Sequence, residues 1–574
     1  MNIFEIYLKK LKDLIIKNYK NLNIEPEINF EGVVIETPPQ EFNFDLSSNI
    51  ALVLAKKSKQ SPVKLANLIK ETLEKNLNDF SDIVIADPGF INFRFTSKTY
   101  QEIIINILKS KNKYGSSNKK DNYNIEFVSA NPTGPIHIGH SRGAIFGDVL
   151  SNLLMFSGNI VTKEYYINDY GNQIINFAES VFYRLREIKF NEKFIKKENL
   201  YPGHYVIDIA KKILLEIPEI DLSNFKKIFT ILSQKSLIHS MNLIKDDLKS
   251  LGISHDNFVS ETDLVKKNLV TSSIKYLKDK KFVEEGYLNP PKGEDNKYWK
   301  KTKRLIFKST LFGDDTDRAL QKDDGTWTYF ANDIGYHADK ISRNYNYLIN
   351  ILGADHTGYI KRITAATTAL SDNKTLLICK VCQLVKLFKN GQPYKMSKRA
   401  GDFISVRELL DEVDKDSIRF MMLNRSNDVE LDFDFSKVLE KTRENPVFYV
   451  QYCYARISSL FRTLGVNSNG DFEIDEINFK LNQHETNLFR KVLDWPKVIE
   501  TSSNKFEPHR IPFYLYELAT LFHAYWSKGN EDSKYKFIEN GKIKNRNTLL
   551  IIKLVALTIE NGMGILGVSL PNKM

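Results

Sequence analysis

Cysteine is scarce: the 574-residue chain has three. That excludes a disulfide framework and fits a reducing compartment. Two of them form a Cys-x-x-Cys pair, Cys379 and Cys382, set among Leu376, Leu377, Ile378 and Val381. Residues three apart on a strand face opposite ways, and no second pair completes a tetrahedral site, so the pair reads as structural and no protein-bound zinc or other metal site is expected. Long hydrophobic runs are also missing. The start, Met1-Asn2-Ile3-Phe4-Glu5-Ile6, mixes charge into its apolar residues and lacks the core of a secretory signal. The most apolar late stretch, residues 549–559, is interrupted by Lys553 and reads as too short to span a membrane. A cytoplasmic, monomeric protein without membrane attachment is expected. No internal repeat or low-complexity tract stands out.

What is present is positive charge and two motifs. A net charge of +11 and a pI near 9.0 suit a polyanionic partner. With 42% hydrophobic residues, a chain of this length holds on the order of two to four domains. Residues 130–140 read Ala130-Asn131-Pro132-Thr133-Gly134-Pro135-Ile136-His137-Ile138-Gly139-His140, and far downstream stands Lys395-Met396-Ser397-Lys398-Arg399. A strand-like run at 125–128 precedes the first motif, and Ile145, Phe146, Val149, Leu150, Leu153 and Leu154 follow it at helical spacing. The motif therefore sits at a strand-to-helix crossing, where an open parallel sheet presents backbone N–H groups and a helix dipole to an anion.

The residue types match nucleotidyl transfer. Negative charge grows on the α-phosphate and the leaving pyrophosphate, so such a site needs fixed donors rather than a covalent nucleophile. His137 and His140 supply imidazole N–H groups. Gly139 lets an adenine ring approach the backbone, and Lys395 and Lys398 clamp the pyrophosphate. Asn131, Pro132, Thr133, Gly134 and Pro135 shape the nucleotide loop, with Met396 and Ser397 between the lysines.

On these motifs the chain resembles a class I aminoacyl-tRNA synthetase, and its wording resembles the arginyl-tRNA synthetases over nearly its whole length. The resemblance rests further on residues 164–169 with 171–174, Phe312-Gly313-Asp314-Asp315, Tyr329-Phe330-Ala331-Asn332-Asp333-Ile334, Gly353-Ala354-Asp355-His356, Glu444-Asn445-Pro446-Val447 and Leu566-Gly567-Val568. Two positions depart from the family: Arg399 stands where the class has serine, and Thr357 where histidine is common. The resemblance implies ATP with Mg²⁺ carried on its phosphates, L-arginine and a tRNA of arginine specificity as ligands, and an arginyl-adenylate intermediate. It also implies that Glu126 and Asp333 grip the guanidinium, Tyr329 flanks it, and Asn131 holds the α-amino or carboxylate end. A planar five-donor cation suits fixed carboxylates, which favours arginine over lysine. Asp355 is expected at the ATP ribose and His356 in the arginine or adenosine pocket. Asp314 and Asp315, near a turn, read as solvated. The alternatives are a synthetase for lysine or glutamate, a small nucleotidylyltransferase, and an RNA-binding relative without activity.

The expected fold is multidomain, α/β plus all-α. Residues 1–115 form an α/β domain, which the resemblance assigns to the outer corner of tRNA. Residues 111–120, polar and Gly/Ser-containing, read as a linker. A Rossmann-like catalytic domain covers 121–435 with a mostly helical insertion at about 175–300, and a helix bundle covers 436–574. In the bundle, Tyr449, Tyr452, Arg456 and Trp526 are expected to contact tRNA, because aromatic faces beside cations stack unpaired bases.

Overall fold

The computed structural model describes residues 2–39, 41–195, 197–288, 302–394, 404–465 and 480–574. The second motif, Lys395 to Arg399, lies outside them. The chain forms two compact units: residues 1–118 together with 440–574, and residues 119–439 between them.

The central unit is built on a five-stranded sheet whose pairings are all parallel. Its strands are β1 (Asn122–Glu126), β2 (Ile160–Ile167), β3 (Asn257–Ser260), β4 (Tyr347–Gly353) and β5 (Leu376–Cys382), in the order β5-β4-β1-β2-β3. The order reverses between β1 and β4. Ligands bind open α/β sheets outside the carboxyl ends of strands at such a reversal, and β1 ends there on Glu126. Helix α1 (Ile138–Phe156) follows the first motif and buries the apolar residues that its spacing marked. It lies very close to the end of β1: a Cβ at Gly147 would stand 2.3 Å from the Phe127 ring, so only glycine fits.

Sheet register sets up the buried chemistry. Glu126 pairs across with Glu164 of β2 on one side and Asn350 of β4 on the other. Two carboxylates abreast in a buried layer require cations. Helix α5 (Tyr329–Ser342) and the residue after it supply them: Lys340 binds Glu126, and Arg343 binds Glu164. Burial works to raise the Glu164 pKa, but Arg343, Lys340 and the Tyr336 hydroxyl together hold it at about 2.

Between β2 and β3 run α2 (Asn172–Phe190), α3 (His204–Glu216) and α4 (Phe225–Ser250), which share a core of Phe177, Val181, Leu185, Val206, Ile209 and Leu232. Among the described residues, the mostly helical stretch 175–300 also holds two strands, residues 257–260, which are the edge strand of the central sheet, and residues 283–286; four residues are too few for periodicity to separate a strand from a loop. Asp314, expected to be solvated, is buried. Burial tends to raise its pKa, yet Arg318, at 2.8 Å, and the Ser309 hydroxyl hold it at about 2.

In the other unit, four antiparallel strands carry the helices of residues 1–110, and the helices Pro446–Thr463, Gln483–Lys505, Arg510–Glu531 and Arg546–Leu566 form the bundle. The linker reading of 111–120 does not hold for its first half. Tyr114 is buried, donates its hydroxyl to the Val492 carbonyl at 2.9 Å, and receives the Trp495 indole N–H on its own carbonyl at 2.9 Å. Gly115 follows at φ +92°, where a Cβ would stand 2.6 Å from the Trp495 ring. A Gly/Ser composition thus reflects close packing here, not freedom. Helix Arg546–Leu566 is longer than residues 549–559 implied, and by length and composition it is apolar enough to cross a membrane; most of it is buried in the bundle.

Candidate active site

The loop between β1 and α1 is strained where it begins. Val128 and Ser129 both have positive φ, +71° and +40°. A β-branched residue there costs on the order of 1–3 kcal/mol and persists only where its surroundings fix it. The fixing bonds run to neighbouring elements: the Ser129 hydroxyl donates to Glu126 at 3.0 Å and accepts the Tyr166 N–H at 3.0 Å, while Tyr165 donates its hydroxyl to the Ala130 carbonyl at 2.8 Å. Farther along, Asn131 is exposed and accepts from the Asn168 amide at 3.2 Å. Pro132 and Thr133 are buried, and Tyr205 of α3 holds the Thr133 carbonyl at 2.9 Å beside Gly134.

His137 caps α1. Its Nδ1 accepts the Gly139 N–H at 3.1 Å, and His140 Nδ1 accepts the His137 N–H at 3.4 Å, a reciprocal capping box. A ring nitrogen that accepts leaves the proton on Nε2, so both imidazoles present Nε2–H donors. Burial keeps them neutral: it lowers His137 and, helped by His137, takes His140 down to about 3. Neutral donors with ring centroids 3.7 Å apart at a helix N-terminus suit a phosphate chain.

A cluster of carboxylates joins the start of this loop through Glu126. Asp333 sits one turn into α5, whose cap is Thr328, so Asp333 is not itself a cap. Its carboxylate accepts the Tyr359 hydroxyl. Burial raises its pKa to about 7, with Glu126 and Glu261 adding to the rise against Tyr359 and Lys340. Glu261 is buried too, receives the Asn332 amide at 2.9 Å, and is pushed up chiefly by burial. Sequence reasoning missed Glu261, Tyr359 and Lys340. One signal was legible: Asp333, Tyr336, His337 and Lys340 follow the i, i+3, i+4, i+7 spacing of a buried helix face, filled here by polar groups. Lys340 Nζ, wholly buried, lies 2.5 Å from Glu126 and 3.1 Å from Asn350. Tyr329, expected to flank the guanidinium, is 73% exposed with Lys322 over its ring. Asp355 and His356 stand exposed on the turn Ala354–Tyr359 after β4.

Cys379 and Cys382 lie on β5 as free thiols, and burial pushes both up to about 12. No group of three or more potential metal ligands occurs among the described residues. In the bundle the expected tRNA-contacting residues converge. Arg456 lies 4.2 Å over the Tyr452 ring and 5.3 Å over Trp526, and bonds His523 at 3.1 Å; His523 in turn holds the Tyr449 carbonyl.

The comparisons match each part of this layout. Residues 9–95 match the arginyl tRNA synthetase N-terminal domain, 103–214 the class I (R) tRNA synthetase catalytic domain, and 450–574 the DALR anticodon binding domain. Over 577 residues the chain is 51% identical to the arginine–tRNA ligase of Pelagibacter ubique, covering all of both chains. The chain belongs to the arginyl-tRNA synthetase family. The Anaplasma phagocytophilum arginine–tRNA ligase is 43% identical, with 100% of this chain and 99% of that one covered. The arginyl-tRNA synthetase structure from Thermus thermophilus, at 18% identity, shares the fold with a TM-score of 0.70 over 99% of this chain and 100% of that one. As an arginyl-tRNA synthetase, the chain carries a class I catalytic domain on the parallel sheet and a helical anticodon-binding domain at its C-terminus.

The ionisation of Asp333 gives a pH expectation. With the Asp333 pKa near 7, a guanidinium set against this carboxylate would favour the ionised form and drive off the proton. Arginine affinity should be flat above pH 8 and weaken about tenfold at pH 6, one proton being taken up per unit of fall. Calorimetry in buffers of differing ionisation heat should show proton release near pH 7; a flat affinity from pH 6 to 8 would remove Asp333 as the titrating partner.

Proposed function

We infer that the chain joins arginine to its tRNA in two steps. The arginine carboxylate attacks the α-phosphate of ATP, giving arginyl-adenylate and pyrophosphate. A terminal ribose hydroxyl of the tRNA then attacks the activated carbonyl and AMP leaves. The observation that carries this reading is the cluster of Asp333, Glu126 and Glu261, whose Glu126 is bonded to Ser129 at the start of the loop that ends in the capped His137–His140 turn. Those carboxylates bind a guanidinium and repel a glutamate side chain.

In this reading Asp333 supplies the charge that faces the guanidinium. Glu126 is already shared with Lys340 and acts more as an oriented acceptor than as a free charge. Asn131 holds the amino-acid backbone, with Tyr329 closing over the side chain from its exposed position. His137 and His140 donate to the ATP phosphates, and Lys395 and Lys398 take up charge on the departing pyrophosphate. Asp355 binds the ribose and His356 lines the pocket. Mg²⁺ arrives with ATP. Positioning and electrostatics supply the rate, so no general base is required. The enzyme acts as a cytoplasmic monomer.

For tRNA, Arg456 with Tyr449, Tyr452 and Trp526 forms the stacking surface. Removing the bundle is a poor test, since Trp495 and Tyr114 join it to the N-terminal residues in one core. Substituting Arg456 by Ala is the cleaner one. The KM for tRNA should rise roughly tenfold, the scale of one stacked base, with the KM for arginine unchanged at saturating tRNA. An unchanged tRNA KM would place the RNA contact elsewhere. The reading as a whole is tested by arginine-dependent exchange of pyrophosphate into ATP, measured with and without tRNA.

A further inference from the structure

Three segments distant in sequence meet just before the His137 cap. Asp247, in the last turn of α4, is buried, and its carboxylate accepts two donors: the Ile136 N–H at 3.1 Å and the Arg407 Nε–H at 2.8 Å. Ile136 immediately precedes His137. Arg407 belongs to the segment with which the described chain resumes after the second motif. Backbone bonds tie the same two places together: Ile138 N–H donates to the Ile404 carbonyl at 2.9 Å, and Val406 N–H to the Ile136 carbonyl at 3.0 Å, closing an antiparallel bridge around His137 and Ser405. The end of α4 is anchored a second time. Arg419 donates to the Leu251 carbonyl at 2.9 Å and to Asp148 of α1 at 2.5 Å.

A buried carboxylate costs several kcal/mol to desolvate, and an apolar residue would pack α4 equally well. Its presence is explained by what it joins. We propose that Asp247 is a positioning residue for adenylate formation: through the Ile136 N–H and the Arg407 guanidinium it holds the His137 cap and the segment leaving the second motif in one fixed register. The proposal rests on the adenylating reading above. Asp247 touches no substrate; it sets where His137 Nε2–H points. Without it, the Ile136 N–H loses its acceptor and the loop at 130–137 loosens. Misplacement by about 1 Å costs up to about a hundredfold in rate, while the arginine pocket, held by α5 and β1, stays as it was.

The test uses the full-length enzyme with Asp247→Asn, Arg407→Ala and the two combined, assayed by pyrophosphate exchange with tRNA present. Asparagine keeps the shape but offers an acceptor to only one of the two donors. The Arg407 side chain is more than half exposed, so Arg407→Ala keeps the fold and decides the matter if the Asp247 variant does not fold. Each single variant should lower kcat roughly tenfold with the arginine KM within about twofold, and the double variant should be no worse than the poorer single, because both break one link. Parental kcat in the folded single variants, with or without a lowered unfolding temperature, would overturn the proposal, as would losses that multiply in the double variant. Absence of arginine-dependent exchange in the parent would instead remove the functional reading, so the two failures are distinct.

Discussion

Replacing Asp333 with asparagine is expected to weaken arginine binding on the order of a hundredfold, about 3 kcal/mol, the usual loss when one partner of a buried charge pair is removed. ATP affinity should hold within about twofold, because the groups that act on the Asp333 carboxylate are Tyr359, Glu126, Glu261 and Lys340, none of them in the His137–His140 turn. The pH dependence should go as well. In the parent the affinity falls below pH 7 as Asp333 takes up its proton; with asparagine nothing titrates there, and the weakened affinity should be flat from pH 6 to 8. Asparagine preserves volume and one acceptor for the Tyr359 hydroxyl, which separates charge from shape. Unchanged arginine affinity by calorimetry would show that the guanidinium is held by Glu261 or Glu126 without Asp333.

Substituting Lys398 by alanine is expected to lower the exchange rate by a hundredfold or more with little change in arginine affinity. Donors aimed at charge that grows only in the transition state act on the chemical step and leave ground-state binding alone. The expectation rests on the residue type and on the position of the motif, which leads within six residues to Ile404, bonded to Ile138 beside the His137 cap. Near-parental exchange in the folded variant would remove the lysine from the clamp.

What the sequence shows on its face depends on how local the physics is. The helix after His140 was legible because its apolar spacing is a property of consecutive residues, and the strand-to-helix placement of the motif follows from the same local pattern. The central sheet is not local. That β1 lies between β2 and β4, with Glu126 abreast of Glu164 and Asn350, is a register between segments tens to hundreds of residues apart. Lys340 reads alone as one more solvated lysine of a basic chain; its buried role depends on Glu126, 214 positions earlier. Asp314 misled for the opposite reason, since a paired aspartate by a turn is commonly exposed and only the Arg318 fork shows otherwise. Tyr359, whose hydroxyl meets Asp333, carries no local signal of that contact, because its partner lies 26 positions earlier on another helix. The strain at Val128 has no composition signature, because a β-branched residue is rarely found at positive φ.

Arginine is the amino acid this chain activates and transfers. The most direct measurement incubates the purified full-length protein with ATP, Mg²⁺, a tRNA of arginine specificity and each standard amino acid in turn, following both pyrophosphate exchange and esterified amino acid on the tRNA. Arginine alone should support both signals, and both should require ATP. Exchange or charging driven by lysine, glutamate or another amino acid, or no activity with arginine in a folded protein, would contradict the account.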